Sequence, residues 1–296
     1  MNRTLGCDVS EWSEKIDFEK MKAAGASFCY AKASQVRVDG LFKTYWPSMQ
    51  QAGLLRGAFH YLDWCESELI QAKLFTDTLG GDVGELPPML DLEEDPTPYK
   101  LTPALVQGKV WNWLQAVEKA TGRVPIIYCG AYFWTQWMTS NPGWLKYPFW
   151  LAWYSSESYI NFVSLIKGWH HGAPKPWKDW TIWQDMGNSN GPQFGTQALS
   201  LDRDWFNGDL DALKSFANGQ NISTAPAPPL YPTYKVTSGS APYVHTQASA
   251  LSAVLGYIPA GTVVSIDTVA GAYGHMQPIA GFPSGGWVYM SYLQKQ

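Results

Sequence analysis

Four acids crowd into five residues where the stretch ELPPMLDLEEDPTP, Glu85 to Pro98, leaves an apolar run: Asp91, Glu93, Glu94 and Asp95. The apolar part, introduced by two prolines, reads as a buried strand, and on a strand residues two apart face the same side. Asp91 and Glu93 therefore share a face, and Glu94 points away from it. Asp95, just before Pro96, reads as loop or capping chemistry. Two carboxyls at one site repel each other as anions, so at least one keeps its proton to a higher pH and can protonate a leaving oxygen. Two further acids, Asp8 in GCDVSEW and Asp202 in SLDRDWF, stand in otherwise apolar runs, where an unpaired charge is costly. Asp204 shares the side of Asp202 and reads as the end of that strand.

Acids so far apart in sequence need a frame that brings their strands to one rim. Apolar, β-rich runs LGCDVS, SFCYAKAS, LLRGAFHYL, LPPMLDLE and VPIIYCG alternate with the helical patterns IDFEKMKAAG, FKTYWPSMQQAG, ESELIQAKLFTDTLGG and LTPALVQGKVWNWLQAVEKATG. Gly25, Gly53, Gly80 and Gly122 mark helix C-termini, and Thr102 with Pro103 starts the fourth helix. The strands PFWLAWYS, DWTIWQD and LSLDRDWF follow with less helix between them. Five β/α units and then three strands predict a closed parallel α/β barrel of the TIM type, whose chemistry sits at the C-terminal ends of its strands. First and last strands are neighbours in such a barrel, which would bring Asp8 and Asp202 to the mouth that holds Asp91 and Glu93.

Residues 218–232, NGQNISTAPAPPLYP, carry no charge and are rich in proline, as a semi-rigid linker should be. They separate a barrel domain over 1–217 from a small domain over 233–296 in which only Lys235, Asp267 and Lys295 are charged. Gly-punctuated runs predict five or six short strands there, an all-β fold. The net charge of −4, without a Lys/Arg cluster, argues against nucleic acid as a partner. No run approaches the ~18 apolar residues of a membrane span, so no membrane insertion is expected. Cys7, Cys29, Cys65 and Cys129 form no C-x-x-C pair and read as buried free thiols. His170 and His171 are adjacent and do not converge on one ion, and neither a metal nor a cofactor is expected. Most of the 16 Trp must build an aromatic core, yet Trp and Tyr faces also stack on sugar rings.

Taken in order, GCDVSEW, AGLLRGAFHYL, LPPMLDLE, PIIYCGAYFW, PFWLAWYSS, WTIWQD and LDRDWF resemble the lysozymes of glycoside hydrolase family 25, N-acetylmuramidases common among phage endolysins. The resemblance covers nearly the whole first domain. It implies cleavage of the β-1,4 bond between N-acetylmuramic acid and N-acetylglucosamine in peptidoglycan, with an acidic set at Asp8, Asp91, Glu93 and Asp202 and with Glu93 as general acid. Attack on the anomeric carbon is left to either a carboxylate at Asp202 or Asp8, or the substrate's own acetamido oxygen oriented by Asp91. Lys32 in YAKAS matches a strand-two Lys of the family, while Ser34, Gln35 and Val36 replace its usual Thr-Glu-Gly. Cys7 stands for an aliphatic residue, and Asp204 for a common Asn.

For the cleft walls the resemblance favours His60 over Tyr61, which a regular strand would turn the other way. It places Tyr128, Tyr154 and Trp183 among the cleft aromatics, with Gln184 as a sugar hydrogen-bond donor or a loop residue. GYIPAGTVVSI and GGWVYMSYL resemble a bacterial SH3-like domain, which implies wall binding through Tyr243 and Tyr289, with Trp287 more a core residue. The expected protein is a monomer, made in a host cytoplasm without a signal peptide and acting on the wall after release. A chitinase-like barrel would carry a longer Asp-x-x-Asp-x-Asp-x-Glu run, absent here. A non-catalytic wall-binding protein would have little use for all four acids.

Overall fold

The computed structural model describes residues 3–154, 173–219, 233–237, 242–277, 279, 282 and 285–296. His170, His171 and nearly all of the proline-rich segment lie outside the described residues. The chain divides into two compact units, Met1–Pro226 and Ala227–Gln296.

In the first unit eight strands close a barrel in sequence order. They are β1 (Thr4–Val9), β2 (Phe28–Ser34), β3 (Leu55–Tyr61), β4 (Met89–Leu92), β5 (Ile126–Gly130), β6 (Phe149–Ala152), β7 (Ile182–Asn190) and β8 (Ser200–Phe206). Helices α1 (Phe18–Ala23), α2 (Phe42–Gln51), α3 (Glu68–Leu79), α4 (Pro103–Thr121) and α5 (Ala131–Trp137) follow the first five strands, and α6 (Leu210–Ala217) follows the last. Local chemistry sets these boundaries. The side chains of Asp17, Ser67 and Thr102 accept hydrogen bonds from the first-turn amides of α1, α3 and α4, and left-handed Gly80 and Gly122 end α3 and α4.

The barrel departs from the parallel closure expected of it. Neighbours from β1 to β7 are parallel, but β8 runs antiparallel to both β7 and β1. A parallel return requires a crossover of a dozen residues or more, and only residues 191–199 join β7 to β8. The reversal decides where the acids of β8 fall. Its N-terminal part, not its end, lies at the mouth, so Asp202 pairs directly with Asp8, and Asp204 pairs with Gly6 one step deeper.

Alternation along the strands sends one side chain in two to the lumen. Phe28, Tyr30, Ile126, Trp150, Ile182 and Phe206 fill it, and α6 adds Leu213 and Phe216 to the same core. Tyr30 meets Trp150 edge to face at 4.8 Å. A Cβ on Gly57 would stand 2.2 Å from the Tyr30 ring, so only glycine lets that ring cross the lumen. Cys7, Cys29 and Cys129 are buried free thiols, whereas Cys65 is exposed, because it lies in the loop that follows β3 rather than in a strand.

The second unit is one antiparallel sheet in the order β11-β10-β14-β13-β12-β9-β15. Its strands are β9 (Thr233–Val236), β10 (Tyr243–His245), β11 (Val254–Tyr257), β12 (Val263–Ala270), β13 (Tyr273–Met276), β14 (Gly286–Tyr289) and β15 (Leu293–Lys295). Val236, Val244, Val264, Ile266, Met276 and Val288 form its core. Tyr243 pairs with Tyr257 and Tyr289 with Tyr273, so the face opposite that core carries tyrosines from four strands.

Candidate active site

A polar cleft of about 450 Å³ opens at the C-terminal ends of β1 to β7. Asp8, Lys32, Tyr61, Asp91, Glu93, Tyr128, Tyr154, Gln184 and Asp202 all line it. A cavity of similar size, about 480 Å³, lies beside Tyr147, Trp177, Trp180 and Phe206, but its one lining acid is Asp179. Volume alone therefore does not mark the chemistry; the convergence of carboxyls does.

The Asp91–Glu93 pair stands as strand geometry requires. Asp91 is the buried third residue of β4, and Glu93 follows the strand end exposed at the rim. Burial, with Glu93 and Asp8 adding repulsion, pushes Asp91 well above the ordinary carboxylate range, against the opposing pull of Lys32. Burial likewise pushes Asp202 up to about 9, with Asp8 and Glu93 contributing. The neighbouring acids leave the site: Glu94 accepts from the Tyr99 hydroxyl at 2.5 Å, and Asp95 caps the turn at Thr97.

Across the cleft a chain of hydrogen bonds fixes Asp8. The Tyr128 and Tyr154 hydroxyls both donate to Gln184 Oε1, at 2.7 and 2.5 Å, which turns Gln184 Nε2 toward Asp8 Oδ2 at 2.6 Å. Burial pushes Asp8 up to about 7, while the Gln184 bond holds it lower than burial alone would. Gln184 is thus a strand residue whose amide is committed to Asp8. On the opposite wall Lys32 Nζ donates to Gln35 Oε1 at 2.9 Å and lies 4.8 Å from the Tyr61 ring centroid.

Two expected cleft residues face elsewhere. His60 is completely buried on the outer face of β3, stacked on Trp113 at 5.6 Å, with Ser34 Oγ and Gln71 Oε1 at its two ring nitrogens. Burial lowers it to about 4, so it is a neutral pin between strands and helices. Since β3 stays regular through Tyr61, the phase that turns His60 outward brings Phe59 and Tyr61 into the cleft. Trp183 obeys the same alternation: adjacent to Gln184, it points outward, donates to the Trp153 carbonyl and packs near Trp180 and Arg3.

Trp12, Ser10, Gln35, Phe59 and Met89 also line the cleft, beyond the residues that strand pattern and resemblance single out. Trp12 is 79% exposed. It is an aromatic four residues beyond Asp8, where the chain has already left the strand.

The sequence profile of Glycosyl hydrolases family 25 matches residues 7–192, which include the cleft acids of β1 and β4. The chain belongs to that family. Lysozyme M1 of Streptomyces globisporus is 31% identical over 72% of this chain and 71% of its own length. The uncharacterized protein YegX of Escherichia coli K12 is 33% identical over 72% of this chain and 73% of its own. Among solved structures, a family GH25 lysozyme from Aspergillus fumigatus superposes with a TM-score of 0.60 at 29% identity, covering 73% of this chain and 99% of that one. As a family 25 member the chain is a glycoside hydrolase.

Proposed function

We propose that this protein is a lysozyme of the endolysin type that hydrolyses the β-1,4 bond between N-acetylmuramic acid and N-acetylglucosamine in bacterial peptidoglycan. The observation that carries the reading is the pairing of buried Asp91 with rim-exposed Glu93 on one face of β4, opposite Asp8 and Asp202. Glu93 gives its proton to the glycosidic oxygen as the bond to the anomeric carbon breaks. The substrate's acetamido oxygen attacks that carbon, oriented by Asp91, whose Oδ1 has no partner within the described protein. Water then opens the cyclic intermediate and returns a proton to Glu93. Direct attack by Asp202 is the less favoured route, because burial and the nearby Asp8 and Glu93 favour its protonated form, a poor nucleophile.

The second unit is assigned as an SH3-like wall anchor. Support comes from its small antiparallel β fold and from Tyr243, Tyr257 and Tyr289, exposed on one face where rings can stack on glycan or peptide. A proline-rich segment between the units would let each work as a module.

Purified sacculi decide the reaction. Digests are reduced with borohydride and hydrolysed; a muramidase leaves the alcohol of muramic acid, whereas an N-acetylglucosaminidase leaves the alcohol of glucosamine. Absence of any new reducing end would leave only a binding protein.

A further inference from the structure

Asp204 is, among the described residues, the one acid of the barrel lumen that does not line the cleft. It is completely buried on β8, in register between Gly6 of β1 and Gln184 of β7. Because β8 runs antiparallel, Asp204 lies beneath Asp202 and below the floor of the cleft. No N–H or O–H among the described residues donates to either of its oxygens. The group it faces is the Asp8 carboxyl: Asp204 lies diagonally across the β1–β8 pair from Asp8 and directly opposite Gln184, the residue that holds Asp8. Two carboxyls can share a hydrogen bond only if one of them keeps a proton.

The surroundings say which one. Asp8 already accepts from Gln184 Nε2 at 2.6 Å and borders the open cleft, both of which favour its anion. Asp204 has neither advantage. We propose that Asp204 is a positioning residue that stays protonated and donates to Asp8 from below, so that Asp8 faces the substrate as an oriented anion.

Other charges around the pair press the same way. Asp185 adds negative charge near Asp204, and the buried Cys7, Cys29 and Tyr30 offer it no counter-charge. Glu93 and Asp91 face Asp8 across the cleft, and Lys32 is the cation on that wall. Burial, the largest cause, drives Asp204 well above the ordinary carboxylate range. The consequence for the reaction rests on the hydrolase reading above. A fixed anion at Asp8 is of most use when positive charge builds at the anomeric carbon, so losing the donor should lower kcat more than it alters KM.

The test compares Asp204→Asn, whose amide can still donate, with Asp204→Leu, which cannot, in the full chain acting on sacculi across pH. Asn should keep the wild-type profile. Leu should move the acid limb of kcat/KM to higher pH by about one unit and lower kcat by about 10- to 100-fold with KM little changed. A wild-type profile in a folded Leu variant overturns the proposal, and so does an Asn variant as impaired as Leu. Should Leu fail to fold, infrared difference spectra of wild type against Asp204→Asn at neutral pH decide. A protonated-carboxyl C=O band that vanishes with Asn supports the assignment; no such band overturns it. A wild-type protein that releases no reducing ends would sink the hydrolase reading while leaving the infrared result for Asp204 intact.

Discussion

At the N-terminal end of β3 the buried Arg56 guanidinium lies between Asp82 and Glu85, at 2.9 and 2.8 Å, with the Trp46 ring 4.6 Å away. At the mouth of the same barrel, Asp8, Asp91, Asp202 and Asp204 share a region whose cleft holds, among the described residues, one cation, Lys32. Burial opposes ionisation at both ends, but the outcomes diverge. Arg56 hydrogen bonds hold Asp82 and Glu85 below the ordinary range, whereas at the mouth burial and mutual repulsion push the acids above it. One end pairs its charge and gains stability from it. The other leaves its acids with little counter-charge, a cost that the proposed hydrolase would put to use in its reaction.

If that contrast is right, changes at the mouth should damage rate and spare the fold. Glu93→Gln has the largest expected effect: a loss of about 10² to 10⁴-fold in release of reducing ends from sacculi, with thermal unfolding unchanged. Near-normal lysis by this variant would remove Glu93 from the role of general acid. Asp91→Asn should also cut the rate strongly, by about 10²-fold, yet leave the melting temperature level or higher, because it relieves like-charge repulsion in a buried place. Mass spectrometry of quenched turnovers adds a sharper check on Asp91: a trapped covalent glycosyl-enzyme would refute the substrate-assisted route.

Much of this mouth is legible in the amino-acid sequence. The spacing of Asp91 and Glu93 is a property of any regular strand, and the apolar context of Asp8 and Asp202 sets them apart from surface acids, as their place in the cleft does. Phase and direction are what the sequence hides. His60 and Tyr61 are neighbours, and no local feature says which one faces inward until the register with β2 and β4 is known. The same ambiguity makes Trp183 look like a cleft residue, when only its neighbour Gln184 is one. Asp204 reads as a strand end if β8 runs parallel; only the antiparallel pairing turns its C-terminal half toward the interior. Trp12 escapes a pattern-based reading because an aromatic beyond the end of a strand carries no periodic signal.

The paired end makes the opposite prediction. Arg56→Met removes hydrogen bonds to two carboxylates that are themselves partly exposed, so the cost should be about 2 kcal/mol of stability rather than the larger penalty of stranding a fully buried charge. Activity per folded molecule should stay at the wild-type level. A drop in kcat without loss of stability would mean that the two ends are coupled through β3, and the contrast would fail.

The smallest effect concerns how stability follows pH. Burial pushes Asp8 up to about 7 and Asp202 up to about 9 in the fold, against an ordinary value of 3.8. Between those limits the folded chain holds more protons than the unfolded one, so stability is fully present below about pH 4 and drains away as pH rises through the folded values. His60 works in the other direction, since a histidine kept neutral down to about 4 loses stability as pH falls below its unfolded value. Above pH 7 His60 is neutral in both states, and the acids are joined by Cys7, Cys29 and Cys129, whose thiols burial keeps protonated while the unfolded chain begins to lose those protons. Melting temperatures recorded at pH 7 and pH 9 should therefore fall with pH in the wild type, and Asp202→Asn should flatten the slope by about 2–4 °C over that interval. Arg56→Met should shift both melting temperatures down together and keep the slope, because Asp82 and Glu85 are ionised in both states throughout the interval. A slope that Asp202→Asn leaves unchanged would mean that Asp202 is already ionised in the empty cleft, and the case against it as the attacking carboxylate would go with it.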